Sequence, residues 1–186
     1  MGIPARGRWA RGPARARLGI VLLPDASAPA PADLLVRPAG PGDRRRIRRL
    51  FDENDVRLST ADLRRLTEAD QRREIVLAVL APEGEHLVAL ARATRLRERA
   101  ETAEVTVTVA ADWRRTGVGS AALTALNRRA AAAGLRTLVA TAPARDPGAH
   151  RLLHRCGFQA VTRGRYERRL YGRAPIRARR RRPGSR

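Results

Sequence analysis

The chain has 186 residues and a formal net charge of +21, with 39 basic residues, all arginine, against 18 acidic ones; that length holds one domain with a buried core rather than two ordinary ones. A single cysteine, Cys156, excludes an internal disulfide and suits a reducing cytoplasm. One cysteine and three scattered histidines offer no metal-ligand spacing, and no apolar run approaches the length of a membrane span.

In chain order, residues 1–33 are rich in Arg, Ala, Pro and Gly and read as a disordered extension. The apolar piece Leu18 to Leu23 is too short for a secretory signal. Residues 34–37 read as a short strand, and Pro41 to Asp52 as a helix with Ile47, Leu50 and Phe51 on one side. Ser59 or Thr60 caps a second helix running to Leu66. Ile75 to Ala81 and His86 to Leu96 read as strands joined by a turn at Glu83-Gly84-Glu85. Ala103 to Ala110 alternates, with Val105, Val107 and Val109 facing one way and Glu104, Thr106 and Thr108 the other. Gly117 to Ala133 is a predicted helix stopped by Gly134, then a strand over Thr137 to Ala142. Pro147 to Arg155 is a helix, and Phe158 to Val161 and Tyr166 to Leu170 form a last strand pair. Residues 172–186 carry seven arginines and no acid, an expected disordered tail. Between the two ends, residues 34–171 hold 27 arginines against 16 acids, so the domain itself is basic. Strands and helices in this alternation imply an α/β fold with a mixed sheet. The absence of lysine beside abundant Ala, Gly and Pro points to a GC-rich genome.

The stretch Arg114-Arg115-Thr116-Gly117-Val118-Gly119 joins the alternating strand to the next helix. A helix start presents N–H groups without intrahelical partners, and the helix dipole adds partial positive charge there. Gly117 and Gly119 let a phosphate come close, while Arg114 and Arg115 add planar cationic donors. The ligand expected from these features is a pyrophosphate carried by a cofactor. The dinucleotide fingerprint and the nucleoside triphosphate loop both have other spacings, and the latter needs a lysine.

Arg-x-x-Gly-x-Gly resembles the acetyl-CoA signature of the GNAT superfamily of N-acetyltransferases, Gln/Arg-x-x-Gly-x-Gly/Ala. The surrounding pieces are similar to that family in the same order: Leu34-Leu35-Val36-Arg37-Pro38-Ala39 with Gly42-Asp43 before the turn, and Arg145-Asp146-Pro147 through Cys156-Gly157-Phe158 after it. The resemblance covers residues 34 to 171. It implies the GNAT fold, a mixed, mostly antiparallel central sheet flanked by helices and splayed at a wedge for acetyl-CoA. Within it, backbone around Val107 to Val109 holds the pantetheine arm. Arg114, Arg115, Thr116, Gly117, Val118, Gly119 and Ser120 meet the pyrophosphate, and Asp146 stands where an asparagine often contacts the CoA arm. Thr116 replaces the usual Arg or Lys. Residues 57 to 79, with Ala103-Glu104 and Trp113, further resemble bacterial Pat-type protein lysine acetyltransferase domains.

The chemistry implied is direct transfer of an acetyl group to a primary amine. A lysine-type amine titrates near about 10.4, so neutralising it at pH 7 costs roughly 4–5 kcal/mol. A carboxylate that accepts the proton lowers that barrier, and in the resembling families the residue matching Glu104 is that base. A solvent-facing strand residue paired with an arginine is the alternative role for Glu104. Many relatives protonate the thiolate with a tyrosine where this chain has Leu153; His154 is adjacent. Glu68, Asp70 and Glu74 either line an acceptor groove or solvate a loop.

The implied partners are acetyl-CoA and an amine acceptor, a protein lysine by the Pat-type resemblance, with a small-molecule amine as the alternative. A third reading is a non-catalytic acetyl-CoA binder whose tail, 172–186, contacts nucleic acid weakly through phosphates. Two Phe, two Tyr and two Trp are too few for a base-stacking platform.

Overall fold

The computed structural model describes residues 33–170. The expected N-terminal extension, apart from Asp33, lies outside the described residues, as do Tyr171 and the arginine-rich tail. The elements are β1 (Leu35–Pro38), a 3-10 turn (Pro41–Asp43), α1 (Arg44–Asp52), α2 (Thr60–Thr67), β2 (Glu74–Leu80), β3 (Leu87–Leu96) and β4 (Arg99–Val109). A second 3-10 turn (Ala111–Trp113) leads to α3 (Val118–Ala132), β5 (Thr137–Thr141), α4 (Pro147–Arg155), β6 (Gln159–Thr162) and β7 (Arg165–Arg169). Two features differ from the sequence expectation. Strand β4 starts at Arg99 rather than Ala103, because Arg97 and Glu98 close a tight hairpin in which Leu96 pairs with Arg99. No Gly, Pro or Asn marks that turn. The 3-10 turn before the glycine segment is the second.

The seven strands make one sheet in the order β1-β2-β3-β4-β5-β7-β6. Every neighbouring pair is antiparallel except β4 and β5, which α3 connects as a parallel crossover. Alternation along the central strands feeds two cores. Ile75, Leu77, Val79, Val105, Val107 and Val109 face α3 and α4, whose Val118, Ala122, Leu126, Ala149 and Leu153 cover them. Val76, Ala78, Leu90 and Ala110 face the opposite way, under Ile47, Leu50 and Phe51 of α1 and Leu63 and Leu66 of α2. Strand β2 is buried along its whole length because both faces are covered. No helix of the described residues is long and apolar enough to cross a membrane.

Helix ends are set by local chemistry. Ser59 accepts from the Asp62 N–H at 3.1 Å while Asp62 accepts from the Ser59 N–H at 3.1 Å, a reciprocal capping box for α2. Gly134 ends α3 at φ +79°. Strand β1 is fastened to α1 through Asp43, which is 1% exposed. Arg37 grips its carboxylate with two 2.7 Å hydrogen bonds, and the Gly40 N–H donates at 2.9 Å.

Burial by itself pushes the Asp43 carboxyl up, but the Arg37 hydrogen bond, the Gly40 N–H and the charges of Arg37 and Arg46 outweigh it and hold the group below the usual carboxylate range. A depressed value in the folded state means stabilisation that is present above the unfolded value of about 4 and is lost as pH falls through the folded value. Asp43→Asn is therefore expected to lower unfolding free energy at pH 7 by about 2 kcal/mol. Urea denaturation at pH 7 and again at pH 3 checks this, with the gap between variant and parent narrowing at the lower pH.

Candidate active site

The sheet opens where β4 and β5 part. Their parallel pairing covers four residues and ends at Val105 opposite Ala140, yet β4 continues to Val109. The side of β4 that faces this opening follows from two hydrogen bonds. The Ala110 N–H donates to Val88, on the β3 side, at 2.9 Å, whereas the Glu101 carbonyl accepts from Arg136, on the β5 side, at 2.8 Å. Along a strand the backbone groups of alternate residues share a side. The N–H and C=O of Val107 and Val109 therefore point into the opening, beyond the last β5 partner. Ladder groups left unpaired inside a fold are costly unless something satisfies them.

The glycine turn stands at the mouth of this opening. Gly117 is the N-cap of α3 in a left-handed conformation, φ +96°, which a residue with a Cβ adopts only under strain. The first intrahelical bond, Ala121 N–H to Gly117 carbonyl, leaves the N–H groups of Val118, Gly119 and Ser120 ahead of it at the helix start. A Cβ on Gly119 would lie 3.3 Å from Leu152 Cδ2 and 3.5 Å from Val109 Cγ2, so glycine lets α3 start close against β4 and α4. Arg115 is exposed at φ +69°. The Thr116 hydroxyl donates to the Trp113 carbonyl at 2.7 Å and so braces the turn.

Arg114 goes inward. It is 4% exposed and donates from Nη2 to Asn54 Oδ1 at 2.5 Å. Its Nε has no hydrogen-bond partner among the described residues. Desolvation pulls the guanidinium below its ordinary value, against the field of Asp146, which raises it. Asn54 is the residue that sequence reasoning missed. It lies 60 positions away in an unmarked helix end, and no local pattern signals the contact.

Glu104 sits on the other face of β4, the face covered by α1 and α2, half-buried, with Thr94 and Val139 as its neighbours across the sheet. Among the described residues it has no hydrogen-bond or ion-pair partner. The arginine placed to take it, Arg92, is instead paired with buried Glu74, to which the Thr94 hydroxyl also donates at 3.0 Å. Glu68 pairs with Arg44 at the start of α1, and Asp70 accepts from the Arg72 N–H within its own loop at 3.0 Å.

Asp146 is buried and caps α4, accepting from the Ala149 N–H at 2.8 Å. Leu153 is fully buried under α4, and His154 is exposed with its ring edge against Tyr166. A cavity of about 490 Å³ lies elsewhere, at the β6–β7 hairpin. His150, Tyr166 and Arg163 line it with hairpin backbone, and none of the glycine-turn residues do. His150 Nδ1 and the Tyr166 hydroxyl are 2.5 Å apart at its wall.

Residues 44–158 match the Acetyltransferase (GNAT) family, more than half of the chain. No curated protein sequence matches it. Among solved structures, the GNAT domain of S. lividans PAT superposes with TM-score 0.63 at 24% identity, over 73% of this chain and 89% of that one. A phosphinothricin acetyltransferase from Sinorhizobium meliloti, in complex with AcCoA, gives TM-score 0.64 at 20% identity over 74% and 88%. A spermidine N-acetyltransferase from Vibrio cholerae, with CoA and spermine, gives 0.63 at 17% over 75% and 96%. At these identities the likenesses establish the fold: an open α/β sheet of the GNAT type.

The packing of α4 on α3 carries its own test. Burial pushes the Cys156 thiol up, against weaker opposing effects from Arg168, Ser120 and Thr124. A raised, buried thiol is a poor nucleophile, so alkylation by iodoacetamide at pH 7 is expected to proceed only at the rate at which the chain opens. Labelling as fast as a small-molecule thiol in the native protein would contradict this packing.

Proposed function

This chain belongs to the Acetyltransferase (GNAT) family, and on that premise we propose that it moves the acetyl group of acetyl-CoA directly to a primary amine. The observation that carries the reading is the parting of β4 from β5 at Val105, with the glycine turn at its mouth and, on the opposite face, a carboxylate without a partner among the described residues. In this reading the Val107 and Val109 backbone holds the pantetheine arm. The N–H groups of Thr116 through Gly119, the Arg115 guanidinium and the Ser120 hydroxyl meet the pyrophosphate. Arg114 and Asp146 act on the same site from inside, one as a buried cation and the other as the cap of α4.

Glu104 is the proposed base. The amine must lose a proton before its nitrogen can bond to the thioester carbonyl carbon, and a half-buried carboxylate without an arginine partner is available to take it. A β4 N–H donates to the carbonyl oxygen as charge develops there. The carbon–sulfur bond then breaks, the thiolate leaves, and it takes up the second proton that the nitrogen sheds as the amide forms. A thiol of the cysteine type titrates at about 8.5, far below an alcohol, so the sulfur leaves without a donor on the enzyme, consistent with apolar Leu153 at that position. A protein lysine is the acceptor we favour, on the resemblance of residues 57 to 79 to Pat-type domains. The chain has no lysine of its own to compete as an internal acceptor.

Glu104→Gln is expected to lower kcat by about 100-fold or more while leaving the KM for acetyl-CoA near that of the parent. Steady-state assays on a panel of lysine peptides, spermidine and phosphinothricin give both constants and rank the acceptors. A variant as fast as the parent would remove Glu104 as the base, and a preference for the small amines would replace the lysine assignment.

A further inference from the structure

Asn54 and Arg114 form a buried link between two segments that sequence separates by 60 positions. Asn54 is 7% exposed and lies in the turn just after α1, where its Nδ2 donates to the Leu50 carbonyl at 2.7 Å. Its Oδ1 is thereby aimed at Arg114, which accounts for one guanidinium donor. Each of the two residues is followed by a non-glycine residue in the left-handed region: Asp55 at φ +57° and Arg115 at φ +69°. Among the described residues these are the two non-glycine positions with positive φ. Strain of this kind persists where the surroundings over-determine it. Here the strain brackets a single hydrogen bond.

The link is also electrostatically incomplete. A cation removed from water needs an opposite charge or a full set of acceptors. Arg114 has the neutral Asn54 oxygen and the field of Asp146, while its Nε is buried with no partner among the described residues. A diphosphate at the start of α3 would bring negative charge to the turn that carries this cation. The segment on the other end, residues 53–56, turns the chain from α1 toward α2 on the face of the sheet that carries Glu104.

We propose that Asn54 is a positioning residue: through Arg114 it sets the glycine turn for the acetyl-CoA pyrophosphate, and it couples occupancy of that turn to the order of the α1–α2 connection beside the acceptor face. The inference rests on the assignment of acetyl-CoA to the β4–β5 opening. Coupling between sites is reciprocal in binding free energy. Whatever tightens the α1–α2 connection therefore tightens the turn, and cofactor binding orders the acceptor side before the amine arrives.

Two variants of the full chain separate positioning from simple support of the fold. Asn54→Ala removes both of the side chain's hydrogen bonds. Asn54→Asp keeps an acceptor for Arg114 and gives up the donor to Leu50. Expected is a rise of about tenfold in the KM for acetyl-CoA in Asn54→Ala with at most a twofold change in kcat, and recovery to within about twofold of the parent KM in Asn54→Asp. Hydrogen exchange with and without CoA supplies the second readout. CoA slows exchange in 51–58 as well as 114–121 in the parent and in Asn54→Asp, and in Asn54→Ala the slowing at 51–58 is lost. Equal damage from both variants, or protection confined to 114–121 in the parent, overturns the proposal and leaves the acetyl-CoA site standing. No protection at 114–121 in the parent overturns the site and the coupling together.

Discussion

The parallel ladder between β4 and β5 stops at Val105 and Ala140, and the rest of the molecule is arranged around that interruption. A strand that ran fully paired to Val109 would bury its hydrogen-bonding groups in a neighbour and close the sheet. Instead the backbone of Val107 and Val109 faces an opening, while their side chains remain in the core under α3 and α4. The apolar contacts hold β4 in place when the ladder no longer does. The opening is thus a packed edge, and in the proposed reading its polar groups bind an extended amide-bearing chain in the manner of a missing strand.

Charge is handled with equal economy in a chain that has more than twice as many arginines as acids. Glu104, the proposed base, is half-buried and has no ion-pair partner among the described residues, whereas other acids take arginines. Glu74 takes Arg92, Asp43 takes Arg37, Glu68 takes Arg44 and Glu53 takes Arg49. Glu104 sits one strand from Arg92 and is not engaged, because Glu74, across the sheet from Thr94, holds that guanidinium on the far side. A buried ion pair between structural residues adds little net stability. Its consequence here is local: a base candidate stays unpaired inside a cationic domain.

Most of the fold was legible because it is written in short-range terms. Alternation fixed the two faces of β4, an apolar run of strand length marked β2, and glycine or serine at helix ends located α2 and α3 to within a residue or two. The glycine turn was legible as a strand-to-helix junction for the same reason, since it depends on residues adjacent in sequence. The tight turn at Arg97-Glu98 carries no turn residue, so β4 begins at Arg99, earlier than its alternation indicates. The destination of Arg114 was equally hidden, because an arginine in a phosphate-binding motif reads as a ligand to the phosphate. Only the three-dimensional arrangement turns it inward to Asn54. The splay of the sheet, too, came from family resemblance and not from periodicity, which says nothing about where two strands stop pairing.

The measurement that bears most directly on this account is calorimetric titration of the full chain with acetyl-CoA, set beside the Gly117→Glu/Gly119→Glu double variant. The account predicts one site of micromolar or tighter affinity in the parent, lost in a double variant that is still folded by circular dichroism. A folded parent that releases no heat with acetyl-CoA, or a double variant that binds as tightly as the parent, would contradict it.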